Sequence, residues 1–130
     1  MEIAKLIEIA HQAREKAYCP YSHFAVGAVL VSRAGHIYTG ANVENASYGL
    51  TVCAERAAII KAVNAGDLEL EAICLAGSDK GYTYPCGACL QVMAEFAPHL
   101  KVIVTDSSGN YREHQLKDLL PFQFQLDLEE

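Results

Sequence analysis

The chain lacks several features that would assign it to a class at once. It has no long apolar run: the stretch from Ala25 to Val31 is far too short to cross a bilayer. It has no run of basic residues. Ten Lys and Arg face sixteen Asp and Glu, a net charge of −6. A nucleic-acid backbone is repelled by such a surface unless one face gathers the cations, so small neutral or weakly charged partners are expected. The N-terminus, Met1-Glu2-Ile3-Ala4-Lys5, has no basic segment ahead of an apolar one. That pattern gives no sign of a secretory leader and predicts a cytoplasmic protein, where disulfides are rare. No repeat, low-complexity tract or linker rich in Pro, Gly or Ser divides the chain. Its five cysteines, an odd number, read as metal ligands, catalytic thiols or buried small hydrophobes rather than as a disulfide framework.

What remains describes a globular chain. Its 130 residues, 52% hydrophobic and 20% charged, suit a single domain spanning 1–130 with its own core. Ile3, Leu6, Ile7, Ala10, Ala13 and Ala17 recur at helical spacing, which predicts a helix over residues 2–17 that ends before Pro20. Residues 25–33 and 37–41 flank Arg33-Ala34-Gly35 and read as a hairpin. A helix is expected over 53–65 with Gly66 as its C-terminal cap, then a buried strand over 70–76. A helix over 87–97, stopped by Pro98, precedes strands at 102–105 and 111–114 and a short helix at 116–120. Alternation after residue 50 implies a sheet covered by helices, with parallel neighbours in its second half. Ligands of such sheets sit where helices begin, and two predicted helices begin at Cys53 and Cys86.

The chemistry concentrates in Cys53-Ala54-Glu55-Arg56 and Pro85-Cys86-Gly87-Ala88-Cys89. Cys-x-x-Cys at a helix start places two sulfurs on one side of the first turn, a spacing suited to Zn²⁺. Helix N-termini and a nearby cation lower a thiol's pKa, and only the thiolate binds metal. Cys53 can bring a third sulfur from the second helix. Three protein ligands leave one position for water, the mark of a catalytic zinc. Glu55, two residues on, can reach that water without ligating the metal, and can move its proton. Three thiolates around one Zn²⁺ are formally negative, and Arg56 is the natural charge compensator. Other readings stay open on these residues alone. Cys86 and Cys89 suit a thioredoxin-like redox pair, though Cys53-Ala54-Glu55 is then unexplained. A closed structural zinc site would take a fourth ligand from Cys19, Cys74, His99 or His114. Glu55 alone is as readily a solvated helix residue. Cys19 and Cys74 read as ordinary thiols, Cys74 in a buried strand. The five histidines match no position of the motif and read as surface or structural.

Cys53-Ala54-Glu55 followed by Pro85-Cys86-x-x-Cys89 resembles the zinc nucleoside deaminase signature in its three-cysteine form. Ala17 to Ala28, Asn42 to Tyr48, and Leu119-Leu120-Pro121 with the phenylalanines beyond extend the likeness over nearly the whole chain. The chain is similar to the short, homotetrameric members of the cytidine/deoxycytidine deaminase family. That resemblance, rather than the spacing, implies a fold and a role for each matching residue. The fold is a three-layer α-β-α sandwich with a mixed sheet of about five strands. Cys53, Cys86 and Cys89 hold Zn²⁺, and Glu55 shuttles protons. A zinc-bound hydroxide attacks C4 of cytosine while Glu55 protonates N3, and ammonia leaves. Backbone at Ala54 and Cys86 contacts the base. Phe24 packs on the nucleoside, Asn42 and Glu44 bond the ribose hydroxyls, and Tyr48 and Phe124 close sites across subunits.

The implied function is deamination of cytidine and deoxycytidine in pyrimidine salvage by a homotetramer. A modified cytosine nucleoside or nucleoside antibiotic is the rival substrate, and a non-enzymatic zinc or redox domain is the rival of another class. Two positions depart from the pattern. Leu90 stands where the family commonly carries Arg, which leaves more of the charge compensation to Arg56. Pro121-Phe122-Gln123-Phe124 stands where small residues usually precede the last Phe, so Phe122 competes with Phe124 for the closing role.

Overall fold

The computed structural model describes residues 1–78 and 80–126. Five strands, β1 (Val26–Ser32), β2 (Ile37–Ala41), β3 (Leu70–Gly77), β4 (Lys101–Thr105) and β5 (Tyr111–Gln115), form one sheet in the order β2-β1-β3-β4-β5. Only β3 and β4 run parallel; β1–β2, β1–β3 and β4–β5 are antiparallel. The sheet is therefore mixed and five-stranded, as the resemblance implies. The parallel pair is joined by the one long crossover that such a pair requires. Helices α1 (Ile3–Ala13), α2 (Ala54–Asn64), α3 (Gly87–Phe96) and the short α4 (Leu116–Leu119) cover it.

Period-2 alternation along the strands sorts side chains between two faces. Val29, Val31, Cys74 and Ile103 meet Leu6 and Ala10 of α1 on one side. Ala28, Leu30, Ile73, Leu75, Val102 and Val104 meet α2, α3 and α4 on the other. Three layers result. Central β1 is buried along its whole length, because a helix covers each of its faces. The first helix is shorter than its periodicity predicts: Arg14–Lys16 tighten into a 3₁₀ turn. The guanidinium of Arg14 donates to the Gly77 carbonyl at the end of β3, tying this turn to the sheet.

The hairpin strand β2 carries the first turn of α2. A Cβ at Gly40 would stand 2.3 Å from the Ala54 carbonyl oxygen and 2.7 Å from the Ala58 nitrogen. Lys61 adds a tie from α2, donating to the Thr39 carbonyl over 2.6 Å. Glycine at position 40 thus lets the helix that starts at Cys53 lie directly on the sheet. Gly40→Ala is expected to cost about 1–3 kcal/mol through overpacking against backbone that cannot rotate away. The measurement is the urea midpoint, and an unchanged midpoint would show that α2 is not held by this contact. At the other end of α2, Gly66 adopts φ 77° just past the C-terminus, the capping role its position predicts.

Candidate metal centre and active site

Cys53 and Cys86 are the N-caps of α2 and α3. Neither thiol bonds the backbone of its own helix, so both are available to a ligand. Cys89 lies one turn into α3 and is buried. The three sulfurs lie within 4.8 Å of one another. Cys86 and Cys89 Sγ are 3.6 Å apart. Two sulfurs bound at ~2.3 Å to one tetrahedral Zn²⁺ stand roughly 3.8 Å apart, so the spacing already suits the ion. Among the described residues this trio is the one cluster of three or more His, Cys, Asp or Glu able to hold a metal. Among the described residues no fourth side chain of those types joins it, so Cys19, Cys74, His99 and His114 lie outside the cluster.

The surroundings favour thiolate at Cys53. A hydrogen bond from the Cys89 thiol, together with the Arg56 guanidinium, pulls the Cys53 thiol down to about 5. Cys89 is pushed up for the reciprocal reason: it gives its hydrogen to Cys53, and it is buried beside Glu55. Metal binding deprotonates such thiols. Arg56 donates to Cys53 Sγ over 3.5 Å and to the Thr51 carbonyl over 3.1 Å. Its Nε is buried without a partner among the described residues. Glu55, in the first turn of α2, is only 5% exposed. Burial chiefly, with the charge of Cys53, raises its carboxyl above the ordinary range. A solvated helix residue would show neither property. Cys74, buried in β3, has its thiol pushed up to about 12 by burial alone and belongs to the core.

The remaining predicted residues fall into two groups. Phe24, Asn42 and Glu44 come together. Asn42 is buried; its amide donates to the Phe24 carbonyl (2.9 Å) and accepts from the Val26 nitrogen (2.9 Å). One Glu44 oxygen accepts from the Tyr21 and Ser22 nitrogens at 3.0 and 3.1 Å, and the other from the Ser22 hydroxyl. Those contacts also hold the Glu44 carboxyl below the usual range, the Ser22 hydroxyl first among them. The two side chains therefore fix the segment that presents Phe24. Within that segment His23 sits at φ 60° in the left-handed region. Phe24 packs against the core at Gly77. Ala54 is buried at the head of α2.

Tyr48 and Phe124 lie at the margin of this group: the Tyr48 ring stands edge-on to Tyr21 at 6.2 Å, and Phe124 lies on a different segment, clipped to α3. Tyr48 begins a 3₁₀ turn and is 74% exposed; Phe124 is 71% exposed. Phe122, at 94%, is held by no hydrogen bond among the described residues. Phe124 is held: the Gln91 amide donates to its carbonyl (2.9 Å) and accepts from its nitrogen (3.3 Å). Sequence reading missed Ser22 and Gln91. Ser22 carries no signal beyond that of a turn-forming residue. Gln91 follows the metal helix's first turn, but its partner is 33 residues away.

Three thiols disposed for zinc beside a buried acid, on helices over a mixed sheet, define a zinc-dependent hydrolase. A family model described as "Cytidine and deoxycytidylate deaminase zinc-binding region" matches residues 1–105. Cytidine deaminase of Halalkalibacterium halodurans is 48% identical over 125 residues, covering 95% of each chain. That of Sporosarcina psychrophila is 44% identical, covering 95% of this chain and 92% of that one. The crystal structure of cytidine deaminase from Burkholderia pseudomallei superimposes with a TM-score of 0.92 at 50% identity, over 95% of this chain and 100% of that one. The chain belongs to the cytidine deaminase family, and zinc is its cofactor.

Proposed function

We propose that the protein hydrolyses cytidine and deoxycytidine to uridine and deoxyuridine with release of ammonia, in pyrimidine salvage. It acts as a single catalytic domain over residues 1–130, cytoplasmic and homotetrameric, on small nucleosides rather than nucleic acid or membranes. One observation carries this: three sulfurs spaced for a single zinc stand beside a buried glutamate that binds its proton tightly.

Cys53, Cys86 and Cys89 hold the ion. When bound, zinc supplies a Lewis acid that makes water a competent nucleophile at neutral pH. Glu55 takes one proton from the attacking water and delivers it to the pyrimidine ring at N3, where it stays; it then takes the remaining proton of the added hydroxyl and passes it to the amine, which leaves as ammonia. A carboxyl with raised pKa suits both halves of that task near pH 7. Burial keeps bulk water from competing for the proton. Arg56 offsets the excess charge of three thiolates.

The fixed segment 20–26 presents Phe24 to the nucleoside. Glu44 has about four acceptor directions, of which three are taken within the chain, so one serves a ribose hydroxyl. Asn42 keeps one donor and one acceptor for the same purpose. Tyr48 and Phe124, exposed on one chain, fit a role in closing a neighbouring subunit's site. The test is metal analysis with an ultraviolet assay. About one zinc per chain and loss of cytidine absorbance are expected. Zinc intact without turnover on any cytosine nucleoside would overturn the reading.

A further inference from the structure

The three sulfurs are not held equally. Cys89 is buried on the inner side of α3, and Cys53 sits half-buried at the head of α2, bonded by Arg56. Cys86 is exposed and ends a connection, residues 80–86, that has no regular structure. A zinc ligand must nevertheless stand within ~0.2 Å of its ideal distance. Something has to fix that connection.

Its ties run to the edge strand β5. Arg112 and His114 are two residues apart on β5, so their side chains share one face. The Arg112 guanidinium lies 4.1 Å from the centroid of the Tyr82 ring. The Tyr84 hydroxyl and His114 Nε2 share a hydrogen bond of 2.8 Å, with the two rings 5.3 Å apart. Between these tyrosines, the Thr83 nitrogen donates to the Thr105 carbonyl of β4 over 3.1 Å. Two side chains of the strand thus grip two of the connection, with a backbone bond between them. Buried Pro85 then makes a stiff step from Tyr84 to Cys86.

We propose that Arg112 and His114 are positioning residues for the metal centre: through Tyr82 and Tyr84 they fix the limb that carries Cys86, and so slow the loss of zinc. Neither touches the sulfurs or the substrate. The proposal rests on Cys86 being a zinc ligand. It also gives a use to a strand at the sheet's edge, with most of its residues exposed, that adds little to the core.

The experiment is zinc transfer from the loaded protein to a chromogenic chelator in excess, read as a rate. His114→Ala and Tyr84→Phe are each expected to speed release roughly three- to tenfold, and Arg112→Ala with His114→Ala more than either alone. His114→Gln, which can still accept from the Tyr84 hydroxyl, should restore a rate near that of the parent. Glu113→Gln is the control: it lies on the opposite face of β5, where it pairs with Lys101. It should leave the rate unchanged. The thermal midpoints of the zinc-free variants should match that of Glu113→Gln, because a purely structural effect would lower them in step with the rate. Tyr84→Phe removes one exposed hydroxyl and keeps the fold testable. Unchanged release in the double variant overturns the proposal, as does equal acceleration by Glu113→Gln. A parent chain that holds no zinc overturns the ligand reading, and this one with it.

Discussion

Glu55→Gln is expected to abolish nearly all turnover while keeping zinc and fold. Loss of a general acid–base group costs about 10²–10⁴-fold, and Glu55 is the buried acid beside Cys53 and Cys89. Gln has the same shape but cannot carry the proton. A second consequence concerns stability. Burial raises the Glu55 pKa in the folded state above its unfolded value. The folded state then holds the proton more tightly, so stability is full below the unfolded pKa and falls as pH rises through the folded one. At neutral pH the native glutamate therefore costs stability in the metal-free protein. Glu55→Gln removes that cost, and the zinc-free variant should melt higher than its parent at pH 7 and show a flatter decline as pH rises above the ordinary carboxylate range. Turnover by steady-state assay and melting of both zinc-free proteins check the two halves. Unchanged turnover would remove Glu55 from the chemistry. A lower melting point at pH 7 would show that the carboxyl is stabilised, rather than strained, by its surroundings.

The two cysteine segments can be read from the sequence because their meaning is local. Cys-x-x-Cys at a helix start places two sulfurs by helix geometry alone, and Gly66 and Pro98 mark where α2 and α3 end. The strands are legible for the same reason: Val26–Ser32 and Leu70–Gly77 are apolar runs bounded by turns. What sequence cannot supply is contact between distant segments. The periodicity of α1 continues to Ala17, yet the α-helix stops at Ala13 and gives way to a 3₁₀ turn, in which Arg14 meets the Gly77 carbonyl 63 residues away. Apart from the family resemblance, Asn42 and Glu44 appear in sequence only as polar residues after a strand. Their fixing of residues 20–26 depends on a parallel bridge between Tyr18 and Val43 that no local pattern encodes. The Gln91 clip on Phe124 and the grip of β5 on Tyr82 and Tyr84 are of the same kind. Each uses residues whose identity carries little signal until a partner is placed beside them.

Arg56→Ala is expected to weaken zinc binding by roughly 10–100-fold and to lower kcat/KM with it, the range seen when groups behind metal ligands are removed. The reason is charge. One Zn²⁺ with three thiolates carries a net −1, and that excess blunts the ion as a Lewis acid and favours reprotonation of a sulfur. Arg56 opposes both effects at Cys53, where its guanidinium donates to the sulfur and its charge stabilises the thiolate. The Thr51 carbonyl holds the guanidinium in place for this. Position 90 adds no charge: Leu90 is buried and apolar where the resemblance led us to expect a second cation. The effect of losing Arg56 should therefore be larger here than where two cations share the task, and Leu90→Arg should recover part of it in the Arg56→Ala background. Arg56→Lys should be intermediate, since the charge survives but the planar donor pair that reaches sulfur and carbonyl together does not. Competition with a chelator measures the affinities, and steady-state assays with zinc in excess separate poor loading from poor chemistry. Near-normal zinc content and turnover in Arg56→Ala would show that the three thiolates need no counter-charge from this side chain.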